Sequence, residues 1–88
     1  MEGAVAGAFH REWGRVVATL IRVTGDWNLA EECTQDAFER AVQRWPVDGI
    51  PDNQGAWLTT VARNRAMDRL RRARTEATKY EEVAMAPF

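Results

Sequence analysis

From Leu58 onward the apolar residues Leu58, Ala62, Ala66, Leu70, Ala73 and Ala77 recur every three or four positions, with Trp57 and Val61 beside them. A strand cannot use that spacing, because its side chains alternate with a period of two; one face of an α-helix can. At ~1.5 Å per residue, such a helix is on the order of 35 Å long. Between Thr60 and Lys79 its other faces carry seven cations (Arg63, Arg65, Arg69, Arg71, Arg72, Arg74 and Lys79) against two anions, Asp68 and Glu76. The segment from Asp26 to Glu39 is the reverse, with five anions and no Lys or Arg. A chain of formal net charge −1 has therefore sorted its charge into an acidic and a basic helix. Two faces for two different partners follow, the basic one suited to a polyanion.

Two further segments complete an all-α reading. Phe9, Trp13, Val16, Val17, Leu20 and Ile21 form one helical stripe, predicting a helix over about 4–23. Thr24-Gly25-Asp26 ends it, with Gly25 suited to a left-handed position. Asp26 can cap the next helix, and Asn28 with Glu31 offers an alternative capping box. Ala30, Cys33, Ala37 and Ala41, flanked by Leu29 and Phe38, give that second helix an apolar side over about 27–44. Trp45-Pro46 is expected to break it, since proline donates no backbone bond and disfavours helix before it. The turn-rich stretch from Pro46 to Gly55 reads as a long loop, 45–53, with Asp52 or Asn53 capping the third helix over about 54–77. The tail from Tyr80 to Phe88 is expected to fray. The 88 residues make a single domain, a compact bundle of three main helices.

Composition excludes much. With 45% hydrophobic and 28% charged residues the chain is a folded domain rather than a disordered one. Four tryptophans supply the large buried areas that a small core needs. His10 is the lone histidine and Cys33 the lone cysteine, too few for the usual four-ligand zinc site. No metal or cofactor is expected. Cys33, on the apolar side of an acidic helix, is expected to be buried and inert. No phosphate loop or nucleophile elbow is present, so the chain does not read as an enzyme. No apolar run approaches a membrane span, and a cytoplasmic location is the default.

The Arg residues spread around the third helix with few acidic partners. The uncharged groups Thr60, Asn64 and Met67 lie near its start, beside the loop that ends at Asn53. Cations next to groups that can contact base edges suit nucleic acid. Gln35, Asp36, Glu39 and Arg40, beside Phe38, read as one strip of the second helix suited to protein docking.

These residues resemble a known family. Glu32-Cys-Thr-Gln-Asp-Ala-Phe38, then a loop, then Trp57-Leu-x-x-Val-Ala-Arg-Asn64, then Asp68-Arg-Leu-Arg-Arg72 resembles region 2 of bacterial sigma factors, most like the extracytoplasmic-function (ECF) group. The resemblance covers about residues 8–75. The stretch from Trp45 to Leu58 is similar to a subgroup whose full-length members carry a long C-terminal extension. Three departures stand out: Glu32 replaces the usual Asp, Asp36 the usual Glu, and Thr59 an aromatic found in many members.

The resemblance implies a transcription initiation factor. Its second helix would bind the clamp helices of the RNA polymerase β′ subunit through Gln35, Asp36 and Phe38, with Glu39 and Arg40 on the same strip. Its third helix and preceding loop would recognise and help melt the promoter −10 element. Asn53, Thr60, Asn64 and Met67 are placed at the bases, and Arg63, Arg71, Arg72 and Arg74 at phosphates. An anti-sigma protein is a further partner that the resemblance admits. Such factors add a second helical domain, region 4, which is not found here, so this chain reads as a region 2 fragment of a longer factor or as a truncated homologue. The rival from the residues alone is a helical adaptor whose basic helix binds an acidic protein.

Overall fold

Each expected apolar stripe finds a partner in the computed structural model, which describes residues 2–85. Three helices follow one another: α1 (Glu2–Thr24), α2 (Trp27–Asp48) and α3 (Gln54–Met85). No strand occurs among the described residues. All three helices pack pairwise around one core.

α1 contributes Ala8, Val16, Val17 and Leu20 to the core, with Trp13 and Ile21 half-buried at its edge. It stops at Gly25, whose φ of 69° is a left-handed conformation that favours glycine. The Gly25 N–H donates to the Ile21 carbonyl at 2.7 Å, satisfying one open end group. One residue later Asp26 caps α2, its side chain accepting from the Leu29 N–H at 3.1 Å. Asp26, rather than an Asn28–Glu31 box, therefore starts the helix.

α2 buries Ala30, Cys33, Thr34, Ala37, Phe38, Ala41 and Trp45, a stripe of threes and fours. Thr34 is tolerated at full burial because its hydroxyl donates to the Ala30 carbonyl at 2.7 Å. The expected break at Trp45-Pro46 does not occur, and α2 continues through Pro46 to Asp48. Pro46 leaves the last turn without one i→i−4 backbone bond, which the rest of the turn must offset. Trp45, 1% exposed, holds the last turn in the core. The Arg44–Asp48 ion pair at 2.8 Å and the Gly49 N–H to Trp45 carbonyl bond at 3.0 Å close it. Gly49 has φ 93° and ψ 159°, a region essentially reserved for glycine. The connection to α3 therefore shrinks to residues 49–53.

Asn53 caps α3, with its Oδ1 accepting from the Ala56 N–H at 2.9 Å. Only Leu58, Ala62 and Ala66 of α3 are buried. Two alanines among them let α3 approach closely, while Trp57 packs edge-on against Trp45 at 5.5 Å. Beyond Leu70 the helix leaves the bundle: Ala73 and Ala77, expected on a packed face, are exposed. It nevertheless runs on to Met85, where fraying from Tyr80 was expected; residues 86–88 lie outside the described region. Good helix formers such as Ala, Glu, Lys and Met carry it. The projecting helix explains a radius of gyration of 16.6 Å, where a compact domain of this length has about 12 Å.

Candidate functional site

Two surfaces stand out, and α2 contributes to both. The first is an open groove of about 860 Å³ between α1 and α2. Its apolar floor is Phe9, Trp13, Phe38 and Val42, with His10, Gln35 and Glu39 among its polar lining. Phe9 stacks on Trp13 at 4.9 Å, and both rings lean on Phe38, at 5.4 and 5.6 Å. Phe9 remains 45% exposed and Val42 58% exposed, so apolar area faces solvent here. Contiguous apolar surface rimmed by polar groups marks an interaction site.

The expected docking strip of α2 does not hold together. Gln35 and Glu39 are exposed on the groove, 3.5 Å apart from Nε2 to Oε1. Phe38 is 6% exposed, so it is part of the core and not a free anchor. Asp36 turns to α3, where its carboxylate accepts from Arg69 Nη2 at 2.9 Å. Arg69 also donates to Glu32, at 2.6 Å, so one guanidinium bridges carboxylates one helical turn apart. Arg40 lies five residues after Gln35, about 140° around the helix, and so belongs to a different surface.

That second surface is a shallow hollow of about 540 Å³ lined by Arg40, Val61, Asn64, Arg65, Asp68 and Arg71. It gathers three guanidiniums, one amide and one carboxylate. Asp68 donates no proton here: Arg71 Nη2 lies 2.7 Å from its Oδ1 and Arg72 Nη2 3.1 Å from its Oδ2. The hydrogen bond from Arg71, then the charge of Arg72, hold the Asp68 carboxyl below the ordinary carboxylate range. Two of the expected phosphate ligands, Arg71 and Arg72, thus share an acidic neighbour. Arg63, Arg65 and Arg74 form no ion pair among the described residues. Arg65 was absent from the residues expected at DNA. Its signal was legible, since positions 61, 64, 65 and 68 share one helical face.

The remaining expected DNA residues are spread out. Thr60, Asn64 and Met67 are exposed on α3. Asn53 spends its Oδ1 on the cap, leaving its amide nitrogen as its free group. The sequence reading sets Thr60, Asn64 and Met67 beside the loop. With α2 lengthened to Asp48, five residues remain, and Met67 lies some 20 Å along the axis from Gln54. Asn64 is instead grouped with Arg40.

Cys33 is fully buried, and burial, opposed in part by Arg69, raises its thiol pKa above 9.0. No group of metal-ligating side chains forms among the described residues. No described helix is long and apolar enough to cross a membrane.

Residues 9–76 match the sigma-70 region 2 family, so the chain belongs to that family. Relatives named as ECF RNA polymerase sigma factors place it in the ECF group. The probable ECF RNA polymerase sigma factor SigI of Mycobacterium tuberculosis is 31% identical over 80 residues, 91% of this chain and 27% of that protein. The ECF RNA polymerase sigma factor SigK of a Mycobacterium species (strain KMS) is 38% identical over 72 residues, 77% of this chain and 36% of its own. An uncharacterized protein, R00370, of Rhizobium meliloti is 39% identical over 70 residues, 78% of this chain and 16% of that protein. The chain thus spans roughly a sixth to a third of these relatives. No solved structure matches it.

Proposed function

We propose that this chain is the region 2 module of a transcription initiation factor, docking core RNA polymerase on one face and promoter −10 DNA on another. The observation that carries the reading is the separation of the two surfaces around α2. The α1–α2 groove offers an apolar floor with a Gln35–Glu39 rim, suited to an amphipathic helical partner bearing cations. The β′ clamp helices are the partner that the family suggests. The α2–α3 hollow offers guanidiniums around an amide, suited to phosphates and a base edge.

Within this reading Gln35, Glu39 and Val42 meet the polymerase, while Phe38 supports them from beneath. Asp36 acts indirectly, by orienting Arg69. Arg40 moves to the DNA face beside Asn64, Arg65 and Arg71. Arg63, Arg72 and Arg74 extend the phosphate track, and Asn53, Thr60 and Met67 flank it. The module does no chemistry of its own.

Binding of each variant to isolated clamp helices and to single-stranded −10 oligonucleotides tests this division. Val42→Asp and Gln35→Ala should weaken the first and spare the second. Arg40→Ala and Asn64→Ala should do the opposite. If either pair affects both partners equally, the two-face assignment fails.

A further inference from the structure

Four glycines, Gly3, Gly7, Gly14 and Gly55, sit in helices where no positive φ requires them, and at two of these, Gly7 and Gly55, an added Cβ would meet a side chain. Neither Gly7 nor Gly55 has a positive φ, and both sit in helices, where glycine is the poorest former after proline. At both, the end of a long side chain lies where a Cβ would go. A Cβ at Gly55 would lie 2.7 Å from Glu12 Oε2 and 2.9 Å from its Cδ. A Cβ at Gly7 would lie 2.9 Å from Arg11 Nη1. Consecutive residues of α1 therefore each reach across a glycine. Arg11 Nη2 ends on Gln54 Oε1, at 2.8 Å, and the Glu12 carboxylate ends against Gly55. Gln54 and Gly55 open α3, immediately after the loop 49–53.

Glu12 is not a casual surface group. Its side chain is 17% exposed, whereas Arg15, 3.9 Å away, is 83% exposed and gives it only a loose partner. A carboxylate at the first turn of α3 also faces the positive end of the helix dipole. The contact spans 43 residues of sequence, so it ties α1 to the junction of loop and helix. The neighbouring α1 residues Phe9, His10 and Trp13 line the groove between α1 and α2.

We propose that Arg11 and Glu12 are positioning residues for −10 recognition, setting through Gln54 and Gly55 the angle at which residues 49–53 enter α3. The proposal rests on the DNA-binding reading above. Neither residue need touch DNA. They hold the loop at one angle to α3, so that Asn53 and Thr60 are presented together. Gly55→Ala is the sharpest probe, because it displaces the far end of a flexible side chain and leaves the core untouched.

The experiment compares wild type, Gly55→Ala, Glu12→Ala, the double variant and Gln54→Glu in the 88-residue chain. Three quantities are measured: amide exchange across residues 49–56, thermal midpoint, and competition among single-stranded −10 variants at fixed salt. A wild-type preference of about five- to hundredfold per base is in the usual range for base readout. Gly55→Ala and Glu12→Ala should each speed exchange in 49–56 and shrink that preference towards unity, with affinity for an unrelated oligonucleotide changed less than about twofold. In the Glu12→Ala background Gly55→Ala should cause no further loss, and should raise the thermal midpoint, since alanine is the better helix former. Gln54→Glu, which exchanges the amide acceptor for a carboxylate facing Arg11, should retain the preference. Lower midpoints with the wild-type ranking intact would make these contacts merely structural and overturn the proposal, as would fully additive losses. A wild-type protein with no preference at all would overturn the DNA reading itself, and this inference with it.

Discussion

Phe38 shows how one side chain can be misplaced by its neighbours in sequence. It sits between charged residues on an acidic helix, yet it is 6% exposed and meets both Phe9 and Trp13. Phe38→Ala should therefore cost about 3–5 kcal/mol of stability in denaturant titration, the range for deleting a buried aromatic. Loss of polymerase binding in that variant would report unfolding rather than a lost contact. Cys33 should resist a thiol-specific reagent at neutral pH until the protein is unfolded, because burial keeps its thiol protonated. Rapid labelling of the native protein would contradict its placement. Asp68 has the opposite displacement. Its carboxyl is held below its ordinary value of 3.8 by Arg71 and then Arg72. A depressed folded-state pKa means that this contribution is present above the ordinary value and lost as pH falls through the lower one. An NMR titration should place its midpoint below 3.8, and Arg71→Ala should move it upward. The carboxylate is partly open to solvent and both its arginine partners are exposed, so the consequence for overall stability is small.

At the scale of elements, α2 was half legible. Its apolar spacing gave the start, the cap and the buried stripe. Its end was misread because proline chemistry is local, while the anchor that overrides it, buried Trp45, depends on tertiary packing that includes Trp57 of α3. Gly49 is where α2 ends, and Gly49→Ala should destabilise by about 1–3 kcal/mol, because its backbone lies in a region that L side chains rarely adopt. A neutral result by thermal melting would mean that the turn rearranges freely. α3 carries the charge argument. Each phosphate-contacting Arg changed to Ala should flatten the log–log salt dependence of single-strand binding by about 0.7. Asp68→Asn should act in reverse, raising affinity for DNA of any sequence by freeing Arg71 and Arg72 from an internal competitor. Unchanged affinity across a salt series would show that those two guanidiniums never reach phosphate.

At the scale of the molecule, the charge sorting seen along the chain becomes a sorting of surfaces, though not along the expected line. Arg69 bridges Glu32 and Asp36, so part of the opposite charge on α2 and α3 is spent inside the molecule. Among the groups that remain outward are Glu39, beside Gln35 at the groove, and Arg40 with the arginines of α3 at the hollow. The outer half of α3, from Arg71, is exposed throughout its described length and supports no core. A chain ending after Arg74 should keep its thermal midpoint while losing helical signal and some salt-dependent DNA affinity. A large fall in the midpoint would show that the projecting half stabilises the bundle after all.

The sequence by itself determined what local chemistry can encode. The three apolar periodicities required helices, Gly25 and Asp26 set the α1–α2 turn, Asn53 was legible as one of two candidate caps with Asp52, and the ordered motifs from Glu32 to Arg72 pointed to the family. Tertiary structure alone decided which sides of those helices meet. Asp36 and Arg40 are four residues apart, close enough to read as neighbours on one strip. Only the packing of α3 against α2 engages Asp36 with Arg69 and joins Arg40 to Asn64. Likewise nothing local links Glu12 to Gly55. Periodicity states that a helix has faces, but which face is covered depends on where the other helices lie, and that is settled by burial summed over the whole core.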